Sequence, residues 1–246
     1  MTKESRKTEV ISKQNLTPNM VRLTLGGSSL EGFPFGYEGG YLKIVVEDAE
    51  GKEVARSYTI RKHEPEGPHI TIDAVSHVDG GPASQWFNKV RVGDRVDIIG
   101  PGACKLLNQK ADWFFLAGDM SALPAISVNL EALPKDAKGY AVLEVIEAKD
   151  KLELDVPKDL EIVWVENPSP INNPSRISET VQTLTWLDGK ASVWVAGEFA
   201  TSRKLRQYFR HEKLIDRDFM YVSCYWKIGA TDEGMKTAKR NDAEPW

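Results

Sequence analysis

The chain has 246 residues, 41% of them hydrophobic and 28% charged, a balance that excludes a disordered polypeptide and fits one large or two ordinary globular domains. It holds no run of about 18 apolar residues, and its polar opening MTKESRKTEV lacks the apolar core of a secretory signal, so neither a spanning helix nor export is expected. A net charge of −4 offers no general footing for nucleic acid, and two cysteines far apart in sequence, Cys104 and Cys224, read as buried, reduced thiols of a cytoplasmic protein.

In chain order, TEVISKQNL, MVRLTLGG, YLKIVVEDAEGKEVARSYTIRK, PHITIDAVSH and GDRVDIIGPG are short β patterns separated by turn residues. Several such strands with little helical periodicity predict an antiparallel barrel or sandwich. VEDAEGKEVARS predicts a hairpin with Glu50-Gly51 near its tip, and small residues in HVDGGPASQWF predict a turn into a helix. After about Lys110 the texture changes. DWFFLAGDMSALPAISVNLEAL, AVLEVIEA, LEIVWVEN and SVWVAGEFATSRKLRQYFRHE alternate apolar strands with helix-like stretches, as a parallel α/β sheet requires. The polar NQKAD sets the boundary, giving domains 1–109 and 110–246. Three prolines make 167–178 a loop into a helix-like SETVQTLTWLDG, and the tail predicts a helix capped at Thr231.

Chemistry concentrates in a few stretches. In ARSYTIR, a pleated strand turns Arg56, Tyr58 and Ile60 to one face and Ser57, Thr59 and Arg61 to the other. Arginine grips phosphate with a fork of donors, tyrosine lies flat on a planar ring, and threonine donates from a stiff strand position. If all three meet one ligand, the strand must twist, bend or end near Thr59. The small residues of GGPAS leave helix N–H groups open to an anion, although a plain turn with Ser84 as N-cap explains them as well. LAGDMSALP and WVAGEFA each put a glycine and an acid at the end of an apolar strand, the edge where open α/β sheets bind ligands, but neither is a GxGxxG fingerprint. Trp113, Trp164 and Trp194 read as core, whereas Tyr225 and Trp226 beside Lys227 offer ring faces next to a cation. The four histidines have no ligand spacing, so no protein-held metal is expected.

Taken together and in order, LTPNMVRLTL, RSYTIR, HVDGGPASQW, GDRVDIIGPG, LAGDMSALPAI, VWVAGEFATSRKLR and YWKIG resemble the siderophore-interacting protein family, ferric-siderophore reductases of the ferredoxin-reductase-like superfamily. The resemblance covers roughly residues 8 to 230. It implies an FAD-binding antiparallel β-barrel followed by an NAD(P)-binding parallel-sheet α/β domain, with hydride passing from NADH or NADPH, or electrons from ferredoxin, to FAD and then singly to iron. On that likeness Arg56 meets an FAD phosphate, Tyr58 lies against the isoalloxazine and Thr59 sits near N5. Gly81, Pro82, Ala83 and Ser84 hold the pyrophosphate, with His77 and Trp86 close by. Asp119 and Ser121 lie near the adenine side or the nucleotide pocket, and Ala196, Gly197, Glu198, Tyr225 and Trp226 form the nicotinamide side. Ser57, Asp73 and Ala122 complete the implied cofactor set. Lys43, Arg203, Arg206 and Lys227 are the cations expected to draw in an anionic ferric siderophore. The residues leave two other readings open: a non-enzymatic siderophore-binding module, and a general NAD(P)H:flavin or dye reductase. Electron transfer calls for no acid–base dyad, and none is assigned. Neither nucleic acid nor membrane insertion is expected.

Overall fold

The computed structural model describes residues 5–64, 66–76, 80–174 and 176–242, in two compact units, Met1–Lys105 and Leu106–Trp246. The division falls four residues before the boundary that the polar NQKAD suggests. That segment already belongs to the second unit, because the Leu107 amide donates to Asn129 Oδ1 at 2.9 Å and the Asn108 amide to Ser192 Oγ at 2.9 Å.

The first unit is a closed antiparallel barrel of β1 (Ser5–Thr17), β2 (Met20–Gly26), β3 (Tyr41–Glu47), β4 (Glu53–Glu64), β5 (His69–Val75) and β6 (Arg95–Ile99), in the order β1-β2-β5-β4-β3-β6. Closure leaves no unpaired edge. Strand alternation decides what fills it: Leu42, Ile44 and Val46 of β3, Ile70, Ile72 and Ala74 of β5, and Val96 and Ile98 of β6 are all buried in one core. The β3–β4 hairpin closes over Asp48, whose Oδ1 accepts the Glu50 and Lys52 amides, while Gly51 supplies the positive φ of 77°. Helix α1 (Pro82–Lys89) starts at Gly81 with proline in its first turn, and Ala83 and Phe87, one turn apart, enter the barrel core.

The second unit contains β7 (Trp113–Gly118), α2 (Leu123–Glu131), β8 (Lys138–Val145), β9 (Asp159–Glu166), α3 (Arg176–Thr183), β10 (Ala191–Glu198), α4 (Phe199–Gln207), β11 (Met220–Trp226) and α5 (Asp232–Asn241). Its sheet is parallel throughout, in the order β11-β10-β7-β8-β9. Every residue of β7 and β10 is buried, which is why WFFLAG and ASVWVAGE read as continuous apolar runs instead of alternating ones. The chain leaves β7 toward β8 and returns on the other flank at β10, so strand order reverses between β7 and β10, the place where α/β sheets open a ligand crevice.

Three sequence expectations are corrected here. The helix expected from Ser178 to Gly189 is α3, which starts at Arg176 and ends at Thr183. Beyond it Trp186 leaves the helical path to pack edge-on against Trp113 at 4.5 Å, tertiary packing overriding local preference. Trp113 and Trp194 are core residues, but Trp164 is half-buried because β9 is an edge strand. Cys104 is likewise half-buried while Cys224 is buried, and both are free. The tail helix is α5, and Thr231 caps it by accepting the Gly234 amide at 3.2 Å. Among the described residues no helix is long and apolar enough to cross a membrane, and no group of His, Cys, Asp or Glu is arranged to hold a metal ion.

Candidate functional site

In the barrel, register places the ARSYTIR side chains. Ile44 pairs with Arg56 and Leu42 with Tyr58, and both partners are fully buried, so Arg56 and Tyr58 stand on the inner face of β4. Tyr58 packs its ring edge-on against Phe87 of α1 at 4.7 Å, and Trp86 meets the same ring at 5.1 Å. Burial pushes the Tyr58 hydroxyl well above its usual range, with the Arg56 charge opposing, so it stays a neutral donor. Arg56 is half-buried, and among the described residues it bonds only its neighbour's backbone, Nη1 donating to the Ala55 carbonyl at 3.1 Å. Among the described residues no carboxylate pairs with it. Ser57 and Thr59 face outward beside Lys43 and Tyr41, Ser57 exposed and Thr59 7% exposed. The strand is continuous through Thr59, yet its ladder to β3 ends there, pairing to β5 begins at Ile60, and a register shift follows before Lys62.

The other expected residues of this unit are placed as follows. Asp73 gives both carboxylate oxygens to Arg22, whose Nε and Nη2 donate at 2.7 Å each, and it is almost fully buried. That ion pair ties β2 to β5 and engages both carboxylate oxygens. At the head of α1, Gly81 is the N-cap, no side chain caps the helix, and a Cβ at Gly81 would meet nothing within 4 Å. Ser84 therefore sits in the third helical position and not at the cap. His77 lies outside the described residues.

At the C-terminal edge of the second unit's sheet, the two glycine–acid turns meet each other. Asp119 Oδ1 accepts the Ser121 amide at 2.9 Å and the Ser121 hydroxyl at 2.5 Å, and Oδ2 accepts the Glu198 amide at 2.9 Å and Trp226 Nε1 at 2.8 Å. Burial raises the Asp119 carboxyl while these four donors oppose. The two N–H groups on Oδ2 leave no place for a proton on that oxygen. Glu198 caps α4, its Oε2 accepting the amides of Ala200 at 2.5 Å and Thr201 at 3.1 Å, while Oε1 accepts the Ile228 amide at 3.3 Å. The acids thus lace β7, β10 and β11 together, and their side chains are committed to the protein. Ser121 is committed to Asp119. Ala122 is fully buried, its Cβ 2.7 Å from where a Gly118 Cβ would stand, and Ala196 is 1% exposed. Tyr225 packs edge-on to Trp194 at 6.5 Å.

The expected cations divide. Arg203 Nε donates to Asp242 Oδ1 at 2.6 Å and Arg206 Nη2 to Asp242 Oδ2, so one carboxylate at the end of α5 engages both and offsets one of their two charges. Lys227 lies over the Phe199 ring at 4.6 Å, and among the described residues neither it nor Lys43 has a carboxylate partner.

The sequence profile of the siderophore-interacting FAD-binding domain matches residues 9–55 and 47–105, and that of the siderophore-interacting protein matches residues 111–229. The ferric vibriobactin reductase ViuB of Vibrio cholerae is 33% identical over 92% of this chain and 90% of its own length. The chain belongs to the siderophore-interacting protein family. The solved structure of the siderophore-interacting protein SipS from Aeromonas hydrophila superposes with a TM-score of 0.86 at 28% identity, covering 97% of this chain and 98% of that one. A ferredoxin-NADP+ reductase from Plasmodium falciparum, 16% identical over 90% of this chain and 97% of that one, shares the fold with a TM-score of 0.64, so the architecture is ferredoxin-reductase-like.

In this siderophore-interacting protein the barrel residues fit FAD. A half-buried guanidinium with no carboxylate partner among the described residues, a tyrosine ring on the same strand face, and backbone amides at the head of α1 above an open Gly81 meet the needs of a phosphate and a flat ring. Sequence reading missed Glu144 and Asn167, both buried on the second unit's sheet edge, where Asn167 Nδ2 donates to Glu144 Oε2 at 2.9 Å. The available signal was a charge inside the apolar run AVLEV.

Proposed function

We propose that the chain is an FAD-dependent reductase that takes electrons from NADH or NADPH and delivers them to the iron of a ferric siderophore. The observation that carries this reading is Arg56, half-buried on the inner face of β4 beside Tyr58 and free of any described carboxylate. A full-length relative named a ferric vibriobactin reductase supplies the substrate class. FAD, when bound, accepts two electrons together and releases them one at a time.

The chain's own residues bind and orient. Arg56 forks onto a phosphate, and the amides of Ala83 and Ser84 at the head of α1 face the pyrophosphate with the favourable end of the helix dipole. Tyr58, fixed by Phe87, offers a ring wall and a hydroxyl that stays protonated. Thr59 contributes at the point where β4 changes neighbours. In the second unit the Asp119 lacing fixes the indole of Trp226, and Lys227 next to it draws the anionic chelate. Reduction to Fe(II) weakens hard-oxygen chelation, so the metal can leave. No residue has to move a proton for the electron step. Two unpaired cysteines suit a reducing cytoplasm.

Purified protein loaded with FAD, given NADH, NADPH or reduced ferredoxin together with a ferric siderophore and an Fe(II)-trapping chelator, tests the reading. Flavin absorbance that bleaches on donor addition and returns as Fe(II) appears is expected. A colourless chain that takes up no added FAD overturns it, and a flavoprotein that binds ferric siderophore without yielding Fe(II) leaves a binding module instead.

A further inference from the structure

Glu144 is 6% exposed, a charged side chain in a stretch of β8 whose last five residues are all buried. A buried carboxylate persists only where its surroundings use it. One oxygen is pinned: Asn167 Nδ2 donates to Oε2 at 2.9 Å. Asn167 is itself fixed by donating to the Asn173 carbonyl at 2.9 Å and accepting the Ser169 amide at 3.3 Å. No described residue places a donor on Oε1. Among the described residues the side chain is therefore an oriented acceptor whose second oxygen has no donor on it.

Its place in the sheet says what that oxygen meets. β8 lies beside β7 on the flank away from β10, and Glu144 is its penultimate residue, at the C-terminal edge. In open parallel sheets of this order a dinucleotide lies across the C-terminal strand ends, and an acid beyond the first strand accepts the adenosine ribose hydroxyl. Resting on the reading of the second unit as a nicotinamide-nucleotide domain, we propose that Glu144 accepts the adenosine 2′-hydroxyl and thereby selects NADH over NADPH.

A 2′-phosphate brings roughly −1.5 to −2 charges to this spot. It would face Glu144 and, from β7, the Asp119 carboxylate that already disfavours ionisation of Glu144. The opposing cation is Arg176 of α3, which is exposed and donates Nη1 to the Glu166 carbonyl, and Lys151 is paired with the Glu166 side chain at 2.6 Å. Burial drives the Glu144 carboxyl up to about 7, Asp119 adds to the rise, and the Asn167 bond and Arg176 oppose. Discrimination against NADPH accordingly sharpens as pH rises from 6 to 8 and the carboxyl ionises.

The test compares kcat/KM for NADH and NADPH in the FAD-loaded wild type and in Glu144→Gln, with affinities for NAD+ and NADP+ measured alongside. The wild type is expected to favour NADH by about tenfold or more, and Glu144→Gln to shrink that ratio by about tenfold, chiefly by lowering the KM for NADPH. A wild type that uses NADPH as well as NADH overturns the inference without any variant, and so does a ratio unchanged in Glu144→Gln. Binding of neither nucleotide overturns the donor reading as well, whereas both nucleotides reducing the flavin equally well leaves that reading intact and overturns only the role of Glu144.

Discussion

A Cβ built on Gly197 would stand 2.5 Å from Asp119 Oδ2, so the carboxylate reaches the Glu198 amide only because residue 197 has no side chain. Gly197 also holds a φ of 148°, a conformation that costs other residues on the order of 1–3 kcal/mol. Gly197→Ala is expected to lose at least about 2 kcal/mol of stability, read as a lower urea midpoint with an unchanged slope. An alanine tolerated without loss would mean that the two turns are not held together as described.

Asp119→Asn tests the other side of that contact. An amide nitrogen placed at Oδ2 would oppose the Glu198 amide and Trp226 Nε1, and one placed at Oδ1 would oppose the Ser121 amide. Either orientation leaves a buried donor unmatched, at a cost of about 1–3 kcal/mol. The tryptophan fluorescence of Trp226 should shift in the folded variant, because its indole N–H loses a charged acceptor.

Arg56→Ala separates ligand binding from folding. Among the described residues Arg56 bonds only the adjacent carbonyl, so the unfolding free energy of the FAD-free chain should change by no more than about 0.5 kcal/mol. Loss of a charge-assisted fork should weaken FAD by about 10- to 100-fold, and Arg56→Lys, which keeps the charge without the fork, should fall between. Titration by flavin fluorescence quenching measures this. A barrel that unfolds in Arg56→Ala would make the residue structural.

The barrel and the parallel sheet were legible because their signals are periodic and local. Alternation in YLKIVVE and continuous burial in WFFLAG follow from strand geometry alone. What the motifs could not reveal was which polar groups satisfy one another. Gly118-Asp119 and Gly197-Glu198 look like ligand turns in one dimension, yet Asp119 and Glu198, 79 residues apart, are tied by a single hydrogen bond. Arg203 and Arg206 read as free cations until the fold brings Asp242 of the tail to them. Nothing near Asp73 in the sequence announces Arg22, which β2 delivers to it. Long-range pairing leaves no mark in local pattern, and Glu144 showed only as a charge where an apolar residue was expected.

Glu144 also makes stability depend on pH. Its carboxyl titrates at about 7 in the fold, against an ordinary 4.5, so between those values the folded chain holds a proton that the unfolded chain has released. Stability from this group is fully present below about pH 4.5 and is lost as pH rises to about 7, by up to about 3 kcal/mol. Glu144→Gln, which cannot ionise, should therefore gain on the wild type progressively from pH 5 to pH 7.5 and no further above it. Urea unfolding across that range measures the difference, and a constant gap would show that the carboxyl titrates normally.

Lys227 decides between a ferric-siderophore reductase and a general dye reductase. Asp242 pairs with both Arg203 and Arg206 and offsets one of their two charges, while Lys227 over Phe199 has no carboxylate partner among the described residues and lies next to Trp226. Reversal to glutamate replaces attraction of an anionic chelate by repulsion, about 1–2 kcal/mol near a protein surface at low salt and less as salt screens it. Lys227→Glu is therefore expected to raise the KM for anionic ferric siderophores by about tenfold at low ionic strength, with the gap closing as salt is added. Reduction of an uncharged dye should be unchanged. Equal loss on both substrates would place Lys227 in the donor path, and no loss on either would leave the broader reductase as the function.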